Sequence, residues 1–338
     1  MESESLVISD YGIFIGKKSE RVVLKKKKEV IKEVPFFKLK EILITTSGVS
    51  ISSDVIRECA KAGVQIDFVS YAGKHLAKLS AAGMSGTVKT RREQLFAYED
   101  ERGVKLAIAF VKGKIENQLV LLKYLAKYRK RNNKKLYEFI YNQLDEINKI
   151  KRGMNEIKGS NIDDIRQKLL SIEGRAAKKY WRVIKRVLPE EVEFPGRKTQ
   201  GADDVVNSLL NYGYGILYSR VSTSVLRAGL DQYGGFLHAD RPGKPSLVLD
   251  LIEEFRQTVV DRTVIGTLNQ GMKFKLSQGY IEDKSRRKFA DKVLERLQSK
   301  EYHDGKKYRL EVILQRQARR IATYLREGKE YIPFVSGW

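Results

Sequence analysis

Cysteine is almost absent from this chain of 338 residues, in which Cys59 is the only one. A single thiol cannot form an intrachain disulfide, nor a zinc site built on several cysteines. This usage is typical of a reducing compartment, and we expect a cytoplasmic protein. Only 6 prolines are present, so the composition is that of a folded globular chain and not of a disordered one.

Long apolar runs are missing as well. No stretch approaches the roughly 20 apolar residues that a helix needs to cross a bilayer. The first residues, MESESLVISDYG, hold no basic segment followed by an apolar one, which a secretory signal peptide would require. We therefore expect neither a membrane span nor a signal peptide.

Acidic residues are scarce relative to basic ones. The chain holds 65 lysines and arginines against 42 aspartates and glutamates, a formal net charge of +23. A surplus of this size repels itself unless a polyanion lies nearby, and neutralised phosphates release counterions. Nucleic acid is therefore the expected partner, and a protein that is merely basic is the alternative.

Residues 1–86 predict a small N-terminal β-rich domain with one helix. Short runs rich in valine, isoleucine and leucine alternate with turn residues, as strands do. They span residues 6–8, 13–15, 22–24, 42–44, 64–69 and 75–79. Between the fourth and fifth runs, Ser52 or Ser53 can cap a helix that Gly63 ends.

Residues 87–338 predict a larger C-terminal all-α domain, because the apolar residues recur with the period of a helix. The predicted helices span residues 104–128, 134–150, 163–188, 203–226, 246–256, 259–276, 283–298 and 310–327. The fold class is therefore α+β, with two domains of unequal size. This division also agrees with the length, which exceeds that of most single-core domains.

One predicted surface of the helical domain is strongly basic. Residues 120–137 contain seven lysines and arginines and no acidic residue, with Tyr124 and Tyr128 interleaved. Such a run is usually a solvated face. In a chain this basic, it can also contact the phosphates of DNA, and we take Lys127 and Arg131 as candidate DNA-positioning residues.

Glu173 stands in an unexpected position on its helix. At 100° per residue it falls in the middle of an apolar stripe that contains Leu169, Ala176 and Tyr180. A carboxylate that faces a core requires a partner, because an unpaired buried charge costs several kcal/mol. Either a buried ion pair, for example with Arg227 or Arg256, or a metal ion satisfies this requirement.

A second group of polar residues lies between residues 238 and 254. His238, one of three histidines, precedes a Pro-Gly-Lys-Pro loop, and the next predicted helix carries Asp250, Glu253 and Glu254 on one stripe. By itself this stripe is typical of a solvent face, and a lone histidine is usually structural. Together with Glu173, however, these residues offer carboxylates and one imidazole, which suit Mg²⁺ or Mn²⁺.

Motifs spread over nearly the whole chain resemble those of the universal nuclease-integrase of CRISPR adaptation, an antiviral defence. The residues that carry the resemblance are IEGRAAKKYW, NSLLNYGYGILYSRV, GFLHADRPGKPSLVLDLIEEFR and LQRQARRIATYL. The resemblance implies an N-terminal β domain, through which the protein forms a homodimer, and a helical catalytic domain. It also implies a small ferredoxin-like partner protein that two such dimers flank.

The resemblance further implies a set of site residues. A Glu, a His and a second acidic residue hold the metal ion in the family, and they fall on Glu173, His238 and Glu253. Asp250 matches a further acidic position near the site. The third ligand is often Asp in the family, so the choice between Glu253 and Asp250 as direct ligand stays open. Tyr218 matches a tyrosine that lies near the reacting DNA strand.

The implied reaction is metal-dependent transesterification on double-stranded DNA. The 3′-hydroxyl of a short DNA fragment attacks a phosphodiester of the CRISPR array, and the same site can act in reverse on branched DNA or use water. Basic side chains, among them Arg256, orient the duplex. His238 must be neutral to bind a metal ion, so we expect activity to fall as the pH drops through the imidazole range.

Three alternatives accompany this interpretation. A transposon-encoded integrase of the same family shares the site residues, although the chain leaves no room for an extra C-terminal DNA-binding module. A non-catalytic nucleic-acid-binding scaffold would use the same acidic residues in buried ion pairs. An RNA-processing nuclease would share the charge pattern and would require the 2′-hydroxyl.

Overall fold

The computed structural model of the chain describes residues 4–81, 88–199, 201–277 and 280–337. The boundary that the sequence predicts between residues 86 and 87 lies outside these ranges and stays a prediction. The described residues confirm the predicted fold class, because a β-rich N-terminal region is followed by a mostly helical one.

The N-terminal region forms two four-stranded sheets and one helix. Its elements are β1 (Glu4–Ile8), β2 (Ile13–Lys18), β3 (Arg21–Lys26), β4 (Glu29–Pro35), β5 (Leu39–Ile44), β6 (Ser50–Ile51), α1 (Ser53–Lys61), β7 (Gln65–Val69) and β8 (His75–Leu79). The strand orders are β1-β5-β7-β8 and β4-β3-β2-β6. In the first sheet β1, β5 and β7 are parallel and β8 is antiparallel; in the second, only β2 and β6 are parallel.

The core of this region lies between the sheets and α1. Ile15, Ile42 and Val55 are fully buried there. As predicted, Ser52 caps α1 by accepting a hydrogen bond from the backbone N–H of Val55. The sequence did not indicate β4, because most of its side chains are exposed and its residues lack the alternation of a half-buried strand.

The helical region begins after the β domain. Its helices are α2 (Val88–Phe96), α3 (Glu101–Lys127), α4 (Arg129–Asn132), α5 (Lys134–Arg152), α6 (Ile162–Val187), α7 (Val205–Arg227), α8 (Ser246–Ile252), α9 (Arg262–Asn269), α10 (Asp283–Gln298) and α11 (Leu310–Glu327). Two short antiparallel strand pairs interrupt them: β9 (Leu276–Ser277) with β10 (Tyr280–Ile281), and β11 (Lys300–His303) with β12 (Lys306–Arg309). The sequence did not predict these strands, which are too short to show a period.

The prediction of two continuous helices over 246–256 and 259–276 was wrong. Helix α8 ends at Ile252, and a turn of π-helix, Arg256–Asp261, leads into α9, which ends at Asn269. A π-turn inserts one residue into the helical period, so a regular 3.6-residue pattern cannot register it. Such turns occur frequently at functional sites.

Helix α7 is the centre of the molecule, buried on almost every side. It contacts α8, α10 and α11, and strands β7 and β8 of the N-terminal region. The approach to the β7–β8 turn is very close: a Cβ on Gly215 would lie 1.9 Å from the carbonyl oxygen of Gly73. A buried ion pair between Arg220 of α7 and Glu41 of β5 adds a polar contact.

Helices α3, α5 and α6 pack against one another, and α3 also contacts α8 and the π-helical turn Arg256–Asp261. Within the described ranges, no helix combines the length and the apolar character that crossing a membrane requires.

Candidate active site

Asp250 organises one side of the candidate site. Its buried carboxylate accepts hydrogen bonds from three consecutive backbone N–H groups, those of Phe236 at 2.6 Å, Leu237 at 3.0 Å and His238 at 2.9 Å. Glycine at position 235 allows this, because a Cβ there would lie 2.5 Å from the Cβ of Ser246 at the start of α8. The loop before α8 is thus fixed onto the helix that follows it.

The same carboxylate orients the imidazole of His238. Nδ1 of His238 lies 2.7 Å from Oδ1 of Asp250, so Nδ1–H donates and Nε2 carries the free lone pair. Burial lowers the pKa of His238, but the hydrogen bond and charge of Asp250, followed by the charges of Glu253 and Glu173, outweigh it and raise the pKa above 6.5. A carboxylate that holds a histidine in this way is the usual arrangement behind a metal-binding imidazole.

Glu173 and Glu253 meet at a single positive charge, the ammonium group of Lys114. This lysine, on α3, forms an ion pair with Glu173 of α6 and lies 2.7 Å from Oε2 of Glu253. The side chains of Lys114, Glu173 and Glu253 are 13%, 15% and 5% exposed, so the cluster is largely withdrawn from water. The predicted ion-pair partner of Glu173, Arg227 or Arg256, was wrong.

Glu253 is held ionised by two cations. Burial raises its pKa, but the charges of Arg256 and Lys114 outweigh burial and lower the pKa to about 2. Its Oε1 accepts a hydrogen bond from Nε of Arg256 at 2.9 Å. Its buried Oε2 receives no hydrogen bond from any described residue, since Lys114, although within ion-pair distance, lies outside hydrogen-bond geometry.

The donor atoms fit a divalent cation in kind, but a ligand cluster is not preformed. Mg²⁺ or Mn²⁺ accepts carboxylate oxygens and imidazole nitrogens as ligands. The site offers the carboxylates of Glu173 and Glu253, the latter with an oxygen that lacks a hydrogen bond, and Nε2 of His238. Among the residues that the structure describes, no three acidic, histidine or cysteine side chains form a ready metal-ligand group. The ammonium of Lys114 lies between Glu173 and Glu253 and forms ion pairs with both.

The three carboxylates near α8 do not form a solvent face, and that interpretation was wrong. Asp250 and Glu254 are fully buried and Glu253 is 3% exposed. Each faces a different partner: Asp250 the His238 loop, Glu253 the ion-pair cluster and Glu254 the C-terminal tail. The break after Ile252 turns these side chains away from the single stripe that a regular helix would give them.

Glu254 fastens the C-terminal tail to the back of the site. It accepts hydrogen bonds from the hydroxyl of Tyr331 at 2.6 Å and the backbone N–H of Phe334 at 2.8 Å. Burial raises its pKa to about 7, although these hydrogen bonds oppose the shift. Asn117 of α3 donates to the carbonyls of both Glu254 and Phe334, which ties α3, the site and the tail together.

Arg256 belongs to a buried polar chain that leads away from the site. Its guanidinium lies 4.4 Å from the centre of the Tyr214 ring. The hydroxyls of Tyr214 and Tyr180 both donate to Asp261, at 2.5 and 2.7 Å. The interactions that the structure shows for Arg256 are therefore with Glu253 and Tyr214, and its predicted contact with DNA stays a prediction.

A cavity of about 1070 Å³ opens beside this chain, between the β7–β8 turn and α7. Its wall includes Tyr214, Tyr218, Arg197, Lys244 and Arg256. The Tyr218 ring also lies 5.3 Å from the ring of His75 on β8. A concave surface with tyrosine rings and basic groups is suited to a nucleic acid strand, since rings stack on bases and cations contact phosphates.

The predicted basic surface lies at the far end of α3. Lys127 and Arg131 are exposed there, thirteen or more residues from Lys114, which corresponds to roughly 20 Å along a helix. Arg129 differs, because its guanidinium donates to the carbonyls of Leu125 and Val187 and is used within the protein. The exposed basic residues of this surface therefore lie away from the ion-pair cluster of Lys114, Glu173 and Glu253.

The sequence interpretation missed Lys114, although a signal was present. Lys114 lies four residues before Gln118 and three after Val111, both buried, so it borders the apolar face of α3 just as Glu173 borders that of α6. A charge beside an apolar helix face needs a partner whatever its sign, so the same rule marks Lys114 as a buried charge, although it does not identify Glu173 as the partner.

Comparison with known proteins identifies the family of this chain. The family described as CRISPR associated protein Cas1 matches residues 6–295. The chain belongs to the Cas1 family. It is 38% identical to the CRISPR-associated endonuclease Cas1 1 of Archaeoglobus fulgidus, over 98% of this chain and 99% of that protein. It is 34% identical to the endonuclease of the same name from Francisella tularensis subsp. novicida, again over 98% and 99%.

Solved structures give this Cas1-family chain the same fold. A casposase bound to integration product superposes with a TM-score of 0.82 at 25% identity, over 99% of this chain and 93% of that one. A Cas1 protein from Thermotoga maritima gives 0.79 at 18% identity, over 99% and 100%. The second likeness shows the shared fold, including the β-rich region followed by helices.

Proposed function

We propose that this Cas1-family protein is a metal-dependent DNA endonuclease and integrase of CRISPR adaptation, active in the cytoplasm. The observation that carries the proposal is that Glu173 and Glu253 both form ion pairs with the ammonium group of Lys114. The His238 ring lies close enough for the charges of both carboxylates to raise its pKa. Relatives named endonucleases at 38% and 34% identity support the cleavage activity. The casposase bound to integration product supports strand transfer.

Three residues would hold Mg²⁺ or Mn²⁺ in this proposal: Glu173, Glu253 and His238 through Nε2. Asp250 serves as an orienting residue rather than a direct ligand, because four donors already occupy its carboxylate. Arg256 orients Glu253 from the opposite side. When bound, the cation would polarise the phosphoryl group and stabilise charge on the leaving oxygen.

The substrates in this proposal are double-stranded DNA in the forward reaction and branched DNA in the reverse reaction. The 3′-hydroxyl of a short fragment attacks a phosphodiester of the CRISPR array, a new P–O bond forms and the former 3′-oxygen leaves. We place the reacting strand along the cavity beside Tyr218, with Lys127 and Arg131 on phosphates of the duplex farther out. The net charge of +23 favours such an extended polyanionic partner.

We also propose the assembly that the resemblance implies, a homodimer through the β domains that binds a small ferredoxin-like partner. A structure of similar fold titled a Cas6-RT-Cas1--Cas2 complex, with a TM-score of 0.81, supports binding of a partner protein. Another, titled a TtCas1-DNA complex, with a TM-score of 0.58, supports DNA binding. Size measurement of the purified protein with and without the partner would test this assembly.

The catalytic assignment is tested by cleavage of a branched DNA in the presence of Mn²⁺ or Mg²⁺. We expect Glu173→Ala and His238→Ala each to lower the rate at least about 100-fold, because even the residues that orient metal ligands typically contribute about 10- to 100-fold. Lys105→Ala is the matched control, since Lys105 lies on α3 but pairs with Glu101 at the surface. Full activity in both site variants would contradict the assignment.

A non-catalytic scaffold is the second candidate, and one observation favours it. The ion pairs of Lys114 satisfy both Glu173 and Glu253 without any metal ion. The same assay separates the two functions, because a scaffold binds branched DNA without cleaving it. Substrates that differ only in their 2′-hydroxyl separate the RNA-processing alternative, and transposon-end substrates separate the transposon integrase.

A further inference from the structure

Lys114 lies where a cation shared by Glu173 and Glu253 would lie. Its ammonium forms ion pairs with both carboxylates, and the side chain is only 13% exposed. Its helix cannot easily withdraw, because Asn117, one turn later, donates to the backbone carbonyl of Glu254 at 3.0 Å and to that of Phe334 at 2.8 Å. The lysine is therefore held against the site by the framework around it.

Two carboxylates withdrawn from water and close together repel each other unless a positive charge lies between them. A lysine supplies one charge and a divalent cation supplies two, and both require the same carboxylate oxygens. Oε2 of Glu253 is one such oxygen, because it lies 2.7 Å from Nζ of Lys114 and receives no hydrogen bond from any described residue. An ammonium and a metal ion cannot both occupy that position.

We propose that Lys114 is the internal counter-ion of the site, which stabilises the metal-free protein and competes with the divalent cation for Glu173 and Glu253. The inference rests on the proposed metal-dependent function. Metal binding then requires the ammonium to leave the carboxylates, and the lysine sets the concentration of divalent cation at which the site loads. Lys114 is a positioning residue in this scheme, not a ligand.

The test is calorimetric titration of the full-length protein with Mn²⁺ alone, in the absence of DNA. We expect Lys114→Met to lower the dissociation constant for Mn²⁺ at least about tenfold, because the competing charge is gone. Lys114→Arg, which keeps the charge, should bind Mn²⁺ no more tightly than the unmodified protein. Lys105→Met, the matched control on the same helix, should leave the affinity unchanged.

Thermal unfolding with and without metal provides a second readout, and only its response to Mn²⁺ separates the counter-ion role from a purely structural ion pair. Without metal, Lys114→Met should unfold at a lower temperature, because Glu173 loses its ion-pair partner and Glu253 keeps Arg256 but loses Lys114. Saturating Mn²⁺ should raise its unfolding temperature more than that of the unmodified protein. Should Lys114→Met fail to fold, Lys114→Gln gives the same comparison, since an amide still donates hydrogen bonds to both carboxylates.

The outcomes separate this inference from the proposed function. One possible result is that the unmodified protein binds Mn²⁺ and that Glu173→Gln abolishes this binding, while Lys114→Met and Lys114→Gln bind Mn²⁺ no more tightly than the unmodified protein. This result would refute the counter-ion role and leave the metal site standing. If neither the unmodified protein nor the Lys114 variants bind Mn²⁺, both the inference and the proposed metal dependence are refuted.

Discussion

Replacing Asp250 with asparagine is the most informative single change at this site. The aspartate accepts four donors with two oxygens, and an amide offers only one oxygen and adds two donors. If that oxygen keeps the N–H groups of Phe236 and Leu237, the amide nitrogen faces the backbone N–H and Nδ1 of His238. The imidazole then has to move its proton to Nε2, so that Nδ1 can accept.

The structure allows the size of this effect to be estimated. One charge-assisted hydrogen bond is lost and one buried N–H is left without an acceptor, which together cost about 3–5 kcal/mol. Since folded proteins are stable by roughly 5–15 kcal/mol, we expect Asp250→Asn to fold with a lowered unfolding temperature. With its proton on Nε2, His238 can no longer bind a metal ion, and we expect Mn²⁺ affinity to fall about 10- to 100-fold.

Two measurements check this prediction: Mn²⁺ titration, and cleavage of branched DNA across a range of Mn²⁺ concentrations. Asp240→Asn is the matched control, because it makes the same chemical change on an exposed residue of the neighbouring loop. The control should behave as the unmodified protein does. Unchanged Mn²⁺ affinity and cleavage in Asp250→Asn would show that the orientation of His238 by Asp250 has no part in the chemistry.

Three further predictions concern stability and DNA binding. Burial raises the pKa of Asp261 from 3.8 to about 6, so the folded protein holds this proton more tightly than the unfolded chain does. Its contribution to the free energy of unfolding is therefore full below about pH 4 and is lost towards pH 6, by about 3 kcal/mol in total. In chemical denaturation at a series of pH values, Asp261→Asn should remove this dependence of the unfolding free energy on pH. An unchanged dependence in the variant would contradict the raised pKa. Gly215→Ala should destabilise the protein by about 3 kcal/mol in the same denaturation assay, because the new methyl group meets the carbonyl of Gly73 at 1.9 Å; an unaffected midpoint would mean that the β7–β8 turn moves freely. Joint replacement of Lys127 and Arg131 by alanine should reduce the slope of log affinity for DNA against log salt by about 2, and an unchanged slope would show that neither contacts a phosphate.

Much of the fold could be predicted because it depends on local pattern. The long helices α3, α6 and α11 show a clear 3.6-residue period, and the buried strands β5 and β7 are rich in isoleucine, leucine, valine and phenylalanine. Helix ends were less certain. The sequence predicts that α6 starts at residue 163, but Asn161 caps the helix and Asp164 completes a capping box. Asparagine and aspartate are both good N-cap residues, so residue type alone does not distinguish Asn161 from Asp163 or Asp164.

Part of the candidate site was also visible in the sequence. Glu173 stood out because a charge on an apolar stripe needs a partner, and its side chain is indeed only 15% exposed. Its partner could not be predicted, because Lys114 lies 59 residues earlier on another helix. The same applies to Glu254, whose partner Tyr331 lies 77 residues later.

By itself, the sequence determined the fold class, the basic character and the short set of polar residues from which a site can be built. These properties follow from composition and from periods of two and 3.6 residues, which act over a few neighbours in the chain. Only the tertiary structure decided how Asp250, Glu253 and Glu254 divide their roles among a histidine loop, an ion-pair cluster and the C-terminal tail. The physical reason is that a buried carboxylate takes its role from the donors that surround it, and those donors come from distant parts of the chain.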